Sequence, residues 1–439
     1  MKPKVLVSDN LSPSALKVFQ DRGIQVDFEP ELGKDKKQLA ERIGDYDGLA
    51  IRSATKVTPN ILKRADKLKV IGRAGIGIDN IDKVAASKKG VIVMNTPLGN
   101  MITTAEHAIA MMFAVARQIP AANRSTHAGK WEKSKFMGVE LTNKIIGVIG
   151  AGNIGGVVCG RARALKMKVI AYDPYLSEEK AKNLSIRKVE LEELLQEADF
   201  ITLHVPLTDQ TRNILNKENI DKLKPGVRII NCARGGLVDE LALAEAIKEG
   251  RVAGAAFDVF LTEPAIESPL FNLPNVICTP HLGAATKEAQ ENVAIQVAEQ
   301  ISDYLINGAV VNALNMPSIT AEEAKIMTPW LLLAGHLGTF VGQLTQEPIK
   351  AINILYDGSV SSMNLEALNC SVIAGIMRTS NPDVNLVSAP IVAKDRGIKI
   401  STTTQDKSGV FAAYIKVTVV TETMERSVAG TVFSDDKHR

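Results

Sequence analysis

The sequence predicts an α/β fold: two doubly wound parallel-sheet domains in succession, followed by a C-terminal α+β domain. Three observations lead there. Short β-branched runs alternate with helical runs over residues 5–95, the alternation restarts after a long apolar helix and continues to residue 278, and beyond Pro317 it stops. Regular alternation gives parallel sheets, because each return to a parallel neighbour needs a crossover, whereas an irregular order gives α+β. The length of 439 residues suits such a chain, since a domain is typically about 150 residues.

In the first series, strands are expected over 5–8, 25–28, 48–52, 69–72 and 91–95, with helices over 13–21 and 35–43. A long helix follows, in which Thr103 and Glu106 have capping-box spacing and Arg117 and Pro120 mark the end. Its interior, 108–116, is apolar nearly all round, which predicts burial between domains. The second series has strand-like runs over 145–149, 168–172, 200–205, 227–232, 254–257 and 276–278, and then a long helical pattern over 287–306. In the tail a helix is expected over 321–343 and strands over 349–356, 384–388, 397–402, 410–421 and 426–433.

Composition excludes several classes. Apolar residues are 45% of the chain and aromatics 4%, so large cores must be built from Val, Ile, Leu, Ala and Met. Lys plus Arg is 52 against 49 Asp plus Glu, a net charge of +3. That balance argues against a nucleic-acid or polybasic membrane surface. Cys159, Cys232, Cys278 and Cys370 form no C-x-x-C pair. This argues against a disulfide scaffold or a metal cage and suits a reducing compartment. No apolar leader follows Met1, and the longest apolar run is half a membrane span. The expectation is a soluble, cytoplasmic protein.

The strongest motif is Gly150-Ala151-Gly152-Asn153-Ile154-Gly155, between a strand pattern and a helix pattern. Gly150 permits the tight turn, Gly152 lets backbone approach a pyrophosphate, and Gly155 lets helix and sheet pack closely. The N–H groups at Asn153 and Ile154 open the helix toward the phosphates. Asp173 ends the next strand, where a carboxylate accepts from adenosine ribose hydroxyls and repels a 2′-phosphate. NAD is favoured over NADP.

A nicotinamide site raises the question of what moves a proton. His107 lies within the apolar helix and reads as a packing residue. His127 and His438 sit in polar surroundings, and His336 in a mixed helical stretch. His204 ends a strand near a cofactor edge, where it either contacts cofactor or packs. Arg234, Glu263 and His281 each follow a strand of the second series, so all three fall along the rim that faces the cofactor crevice. Arg52 and Arg73 follow strands of the first series. Arginine's planar fork suits a phosphate or carboxylate, although solvated surface arginines look the same in sequence.

The segments Gly150–Gly155, 231–236, 256–264 and 279–285 resemble the D-isomer-specific 2-hydroxyacid dehydrogenase family. Ile51-Arg52-Ser53-Ala54-Thr55 and residues 72–82 resemble its branch that oxidises D-3-phosphoglycerate. The likeness is dense over residues 1–315. It implies that Arg234 holds the substrate carboxylate, that His281 exchanges the C2 hydroxyl proton, and that Glu263 orients His281 and favours its protonated form. It further implies that Arg52 and Arg73 bind the phosphate end, with Asn100 and the backbone of Gly75 and Ile76 helping to hold the carboxylate. Met101 stands where relatives carry a small polar residue. Asp258 would meet the nicotinamide carboxamide, and Val205, Cys232 and Gly283 would line the cofactor.

The resemblance also implies an interrupted topology. A flavodoxin-like substrate domain is made of residues 1–98 and 287–315, a Rossmann domain of residues 99–286 is inserted in it, and closure between them excludes water. Residues 316–439 are expected to be a regulatory or oligomerisation domain like that of the long form, which continues into a serine-sensing ACT domain not found before Arg439. Lys394 and Arg396 suit an anionic effector or, more commonly, a solvated loop. A homodimer or homotetramer is expected. Three functions stay open: NAD-dependent oxidation of 3-phosphoglycerate for serine synthesis, the same chemistry on glycerate, glyoxylate or lactate, and an NAD-sensing corepressor-like binding protein.

Overall fold

The computed structural model describes residues 2–405 and 412–433. Met1–Thr96 together with Glu291–Arg439 form one compact unit, and Pro97–Gln290 the other. His438 and the first two residues of the strand expected over 410–421 lie outside the described residues.

The first unit opens with β1 (Lys4–Val7), α1 (Pro13–Asp21), β2 (Gln25–Phe28), α2 (Lys36–Arg42), β3 (Gly48–Ile51), α3 (Pro59–Lys63), β4 (Val70–Arg73), α4 (Lys83–Lys89) and β5 (Ile92–Met94). The strands are parallel in the order β2-β1-β3-β4-β5. Local chemistry starts the helices: Asp35 accepts from the N–H of Lys37 and Gln38, and Asp82 from that of Ala85. Alternate residues then fill two cores. Val5, Val7, Ala50 and Val70 point to one, and Leu6, Leu49, Ile51 and Ile71 to the other. Both faces are covered, so the central strands read as continuous apolar runs. The order reverses between β1 and β3, and the C-terminal ends there are where sheets of this kind hold ligands.

The second unit contains α5 (Met101–Ala116), α6 (Ile119–His127), β6 (Ile145–Ile149), α7 (Asn153–Ala164), β7 (Lys168–Tyr172), α8 (Glu178–Leu184), β8 (Arg187–Lys188), α9 (Leu191–Glu197), β9 (Phe200–Leu203), α10 (Lys217–Asp221), β10 (Val227–Asn231), α11 (Glu240–Lys248), β11 (Val252–Phe257) and β12 (Val276–Cys278). Its parallel order is β12-β11-β10-β9-β6-β7-β8. This is a dinucleotide-binding order with one strand added beside β11. The sheet has seven strands rather than the six expected, because β8 is two charged residues, too short for a periodic signal. Two details of α5 also differ. It starts at Met101 with Asn100 as N-cap and no side-chain cap, so Thr103 and Glu106 lie inside it and form no capping box. Nor is its apolar interior buried on every side: Ala108, Met111, Met112, Val115 and Ala116 are buried while Phe113 is exposed. Pro120 lies in the first turn of α6 rather than ending α5, a position where its missing N–H costs nothing.

The chain re-enters the first unit along α12 (Lys287–Asn307), whose Val293, Ala294, Val297, Ala298 and Ile301 complete a core of the first sheet. The remainder is α13 (Ala321–Gln343), β13 (Ala351–Gly358), α14 (Leu365–Arg378), α15 (Ala389–Asp395), β14 (Lys399–Gln405), β15 (Ala413–Val420) and β16 (Glu425–Gly430). Its sheet, β14-β13-β15-β16, is mixed: β13 is parallel to β14 and antiparallel to β15. Residues 384–388 are a turn rather than a strand. Asn385 Oδ1 accepts from the N–H groups of Val387 and Ser388, which closes the turn. The two valines that suggested a strand fill different cores, Val384 that of the C-terminal sheet and Val387 that of the first sheet. Lys394 lies in α15 rather than in a loop, and Arg396, which caps α15, donates to Ser380 Oγ at 2.8 Å.

Candidate active site

The glycine loop of the second unit links β6 to α7. Gly150 has φ 93°, and a Cβ there would stand 2.6 Å from Val205 Cγ1. A Cβ on Gly155 would stand 1.9 Å from the Gly150 carbonyl, so helix and strand meet closer than any side chain allows. Gly152 has open space where its Cβ would be. It caps α7 without a side-chain bond, so the N–H groups of the first turn, at Asn153 and Ile154, remain for an anion. Asp173 follows β7 and accepts from Ala151 N–H at 2.9 Å on one oxygen and from Tyr175 N–H at 2.9 Å on the other. The carboxylate thus braces the loop and keeps lone pairs for hydroxyl donors. These features fit a dinucleotide: a bare backbone approach, a helix N-terminus and an acid at the ribose position.

Buried Cys232 and half-buried His204 lie at the neighbouring strand ends. Burial pushes the Cys232 thiol up, which leaves it inert as a nucleophile. His204 bonds Thr202 Oγ1 through Nε2 at 2.9 Å, and burial lowers its pKa to about 4, so it is neutral.

The other strand ends carry Arg234, Asp258, Glu263, His281 and Gly283. Nδ1 of His281 lies 2.6 Å from Glu263 Oε2, while Glu263 Oε1 accepts from Phe260 N–H at 3.1 Å. Burial works to raise the Glu263 carboxyl, but the bonds to His281 and Phe260 outweigh it and hold it below the ordinary glutamate value. His281 has φ 56°, a left-handed backbone that its loop must hold in place. Asp258 does so: its carboxylate is fully buried and accepts from Leu282 N–H at 2.7 Å, Gly283 N–H at 2.8 Å and Thr279 Oγ1 at 2.6 Å, while its carbonyl takes His281 N–H at 2.9 Å. His107 joins this cluster from α5, with Nε2 3.3 Å from both Asp258 Oδ1 and Thr279 Oγ1. It is a hydrogen-bonding residue, not the packing residue its apolar helix suggested. Its partners lie about 150 and 170 positions away in the chain, beyond any spacing rule. Arg234 donates to the Ala233 carbonyl at 2.6 Å, and Asn231 Nδ2 donates to the Arg234 carbonyl at 2.9 Å. Asn100, also in this unit, is 9% exposed, and its Oδ1 has no hydrogen-bond partner among the described residues.

In the first unit, Arg52 follows β3 and Arg73 ends β4, on neighbouring strands whose register pairs Ile51 with Arg73. The Gly75–Ile76 backbone is held by the end of β5: Gly75 N–H donates to Thr96 Oγ1 at 2.7 Å, and Asn95 Nδ2 to the Ile76 carbonyl at 2.6 Å.

Residues 109–283 match the family described as D-isomer specific 2-hydroxyacid dehydrogenase, NAD binding domain, and residues 326–439 match the D-3-phosphoglycerate dehydrogenase intervening domain. A D-3-phosphoglycerate dehydrogenase from Synechocystis sp. is 43% identical over 438 residues, covering 99% of this chain and 78% of its own. The chain belongs to the D-isomer specific 2-hydroxyacid dehydrogenase family. A second relative of the same name, from Bacillus subtilis, is 43% identical over 91% of this chain and 75% of its own. The solved structure of a glyoxylate reductase from Paecilomyes thermophila superposes with a TM-score of 0.66 at 28% identity, over 71% of this chain and 98% of that one. This dehydrogenase is NAD-dependent, in keeping with the glycine loop and Asp173. Among its described residues no helix is long and apolar enough to cross a membrane, and no cluster of three or more His, Cys, Asp and Glu side chains could hold a metal ion.

Proposed function

We propose that this dehydrogenase oxidises D-3-phosphoglycerate to 3-phosphohydroxypyruvate, the entry step of phosphorylated serine synthesis, in the cytoplasm and as a homodimer or homotetramer. The observation that carries the reading is the 2.6 Å contact of His281 Nδ1 with Glu263, with Arg234 following the adjacent strand β10. NAD bound by the glycine loop supplies the hydride acceptor. The Glu263 carboxylate accepts a hydrogen bond from Nδ1–H and leaves Nε2 for the substrate, where it takes the C2 hydroxyl proton as C2 is oxidised and returns it in the reverse direction. Arg234 binds the substrate carboxylate through its planar fork and polarises the C2 oxygen. Asp258 keeps one lone pair for the nicotinamide carboxamide, and Val205, Cys232 and Gly283 line that side.

Arg52 and Arg73 receive the phosphate, and Gly75, Ile76 and Asn100 steady the carboxylate end. Two arginines on adjacent strand ends suit a doubly anionic acid and are more than an unphosphorylated one needs. Residues 1–98 with 287–315 carry the substrate, 99–286 carry NAD, and 316–439 serve regulation or assembly. Purified protein given NAD and 3-phosphoglycerate should produce NADH. No NADH at saturating substrate, alongside turnover of D-glycerate, glyoxylate or D-lactate, would move the assignment to another 2-hydroxy acid.

A further inference from the structure

The first sheet reverses its strand order between β1 and β3, and the loops at the C-terminal ends of these two strands are joined by a buried polar cluster. Asp9 follows β1 and is 2% exposed, with Ser8 and Thr55 at 0%. Among the described residues, no lysine or arginine side chain hydrogen-bonds its carboxylate. It accepts from Arg52 N–H at 2.5 Å and Thr55 N–H at 3.2 Å on one oxygen, and from Thr55 Oγ1 at 2.8 Å on the other. Thr55 Oγ1 in turn meets Ser8 Oγ at 2.9 Å.

A second side chain grips the same loop from the opposite chemistry. Asn80 Nδ2 donates to the carbonyls of Arg52 at 2.7 Å and Thr55 at 2.6 Å. The backbone N–H and C=O of both Arg52 and Thr55 are therefore all bonded to two side chains, one acceptor and one donor. A four-residue loop outside any helix or strand rarely has its ends so completely engaged, and the acceptor is a buried carboxylate that is costly to bury unless hydrogen-bonded. The Arg52 side chain is steered by the neighbouring residue, with Nη1 donating to the Asn10 carbonyl at 3.0 Å. That contact uses one N–H of the fork of a residue that follows β3 at the switch point, where ligands bind in sheets of this topology.

We propose that Asp9 and Asn80 are positioning residues that fix loop 52–55 and so aim Arg52 at the phosphate of the substrate. The proposal rests on the reading of Arg52 as a phosphate ligand. Neither residue touches the substrate; each acts through the backbone of Arg52. Holding the arginine in its bound orientation removes the ordering cost that a free side chain would meet on binding. Phosphate recognition, rather than the rate of hydride transfer, is what the clamp controls.

The test is steady-state kinetics of the full chain with Arg52→Ala, Asp9→Ala, Asp9→Asn and Asn80→Leu. Asp9→Ala and Asn80→Leu should raise KM for 3-phosphoglycerate at least tenfold, with kcat and the KM for NAD within about threefold. Asp9→Asn keeps an acceptor oxygen for the two N–H groups and should recover most of the loss. If Asp9→Ala does not fold, Asn80→Leu carries the test by itself. A raised KM in Arg52→Ala with an unchanged one in Asp9→Ala and Asn80→Leu overturns the clamp alone. An unchanged KM in Arg52→Ala overturns the reading of Arg52 and the clamp with it. Parallel losses in kcat, NAD affinity and thermal midpoint would show a general structural role and also overturn the proposal.

Discussion

Nδ1 of His281 and Oε2 of Glu263 are 2.6 Å apart, and the carboxylate's other oxygen is held by the Phe260 N–H. The acid is thus fixed at one end and orients the imidazole with the other. Glu263→Gln keeps the shape and the Phe260 contact but presents a neutral amide to the ring. General acid–base groups contribute about 10²–10⁴ in rate, so kcat should fall by about 10–100-fold for the loss of the orienting partner alone. NAD affinity, measured by fluorescence titration, should change little. A kcat within twofold of the parent would remove Glu263 from the proton path.

Asp258 lies below the ordinary aspartate value of about 3.9, because the hydrogen bonds from His107, Thr279 and Leu282 outweigh the opposing effect of burial. A depressed carboxyl stabilises the fold fully above its unfolded pKa, and that contribution is lost as pH falls through the folded value. Asp258→Asn should therefore lower the thermal midpoint most near neutral pH, and the two melting curves should converge below about pH 4. A gap that stays constant from pH 7 to 3 would contradict this.

Asp173 braces Ala151 and Tyr175, and in the proposed function its remaining lone pairs are set against the ribose. Asp173→Ala loosens the glycine loop and removes the charge that repels a 2′-phosphate. KM for NAD should rise about tenfold, the scale of one charge-assisted hydrogen bond, and the preference for NAD over NADP should narrow. Equal losses with both cofactors would show that the acid serves the loop only.

Gly90 follows α4 at φ 78°, and a Cβ there would stand 2.2 Å from Asn385 Nδ2, which donates to the Gly90 carbonyl. Gly90→Ala adds a clash and left-handed strain of about 1–2 kcal/mol. The turn before α15 should lift from α4, and amide exchange there should quicken before the rest of the intervening domain responds. Unaltered exchange over residues 384–395 would show that the contact is dispensable.

Much of the fold is readable in sequence because its signals are local. The parallel strands are buried on both faces and so appear as short apolar runs, and α13 has the bounds its periodicity implies, opened by a Thr320–Glu323 capping box. What stays hidden depends on distant partners or on weak patterns. β8 is too short, α14 (ten of its fourteen residues buried) has no clear polar face to mark it, and the valines of 384–388 mimic a strand while serving two cores. The site divides the same way. Residues at strand ends, such as Arg234 and His281, follow from their position after apolar runs. Asp9, Asn80 and His107 do not, because their roles rest on bonds to Thr55, Arg52 and Asp258, which only the folded chain brings near.

The core beneath the first sheet joins Val5 and Val70 to Val293, Val297 and Ile301 of α12. During synthesis the first 96 residues therefore leave the ribosome without the helix that seals them, whereas Pro97–Gln290 is one uninterrupted stretch. Vectorial emergence lets this middle unit close first, since domains fold as units in the order they are made. The amino-terminal sheet must wait with one apolar face open for almost two hundred residues of translation. Nascent-chain stalling before and after residue 301 would reveal that delay as late-acquired protease resistance in a segment made before the middle unit.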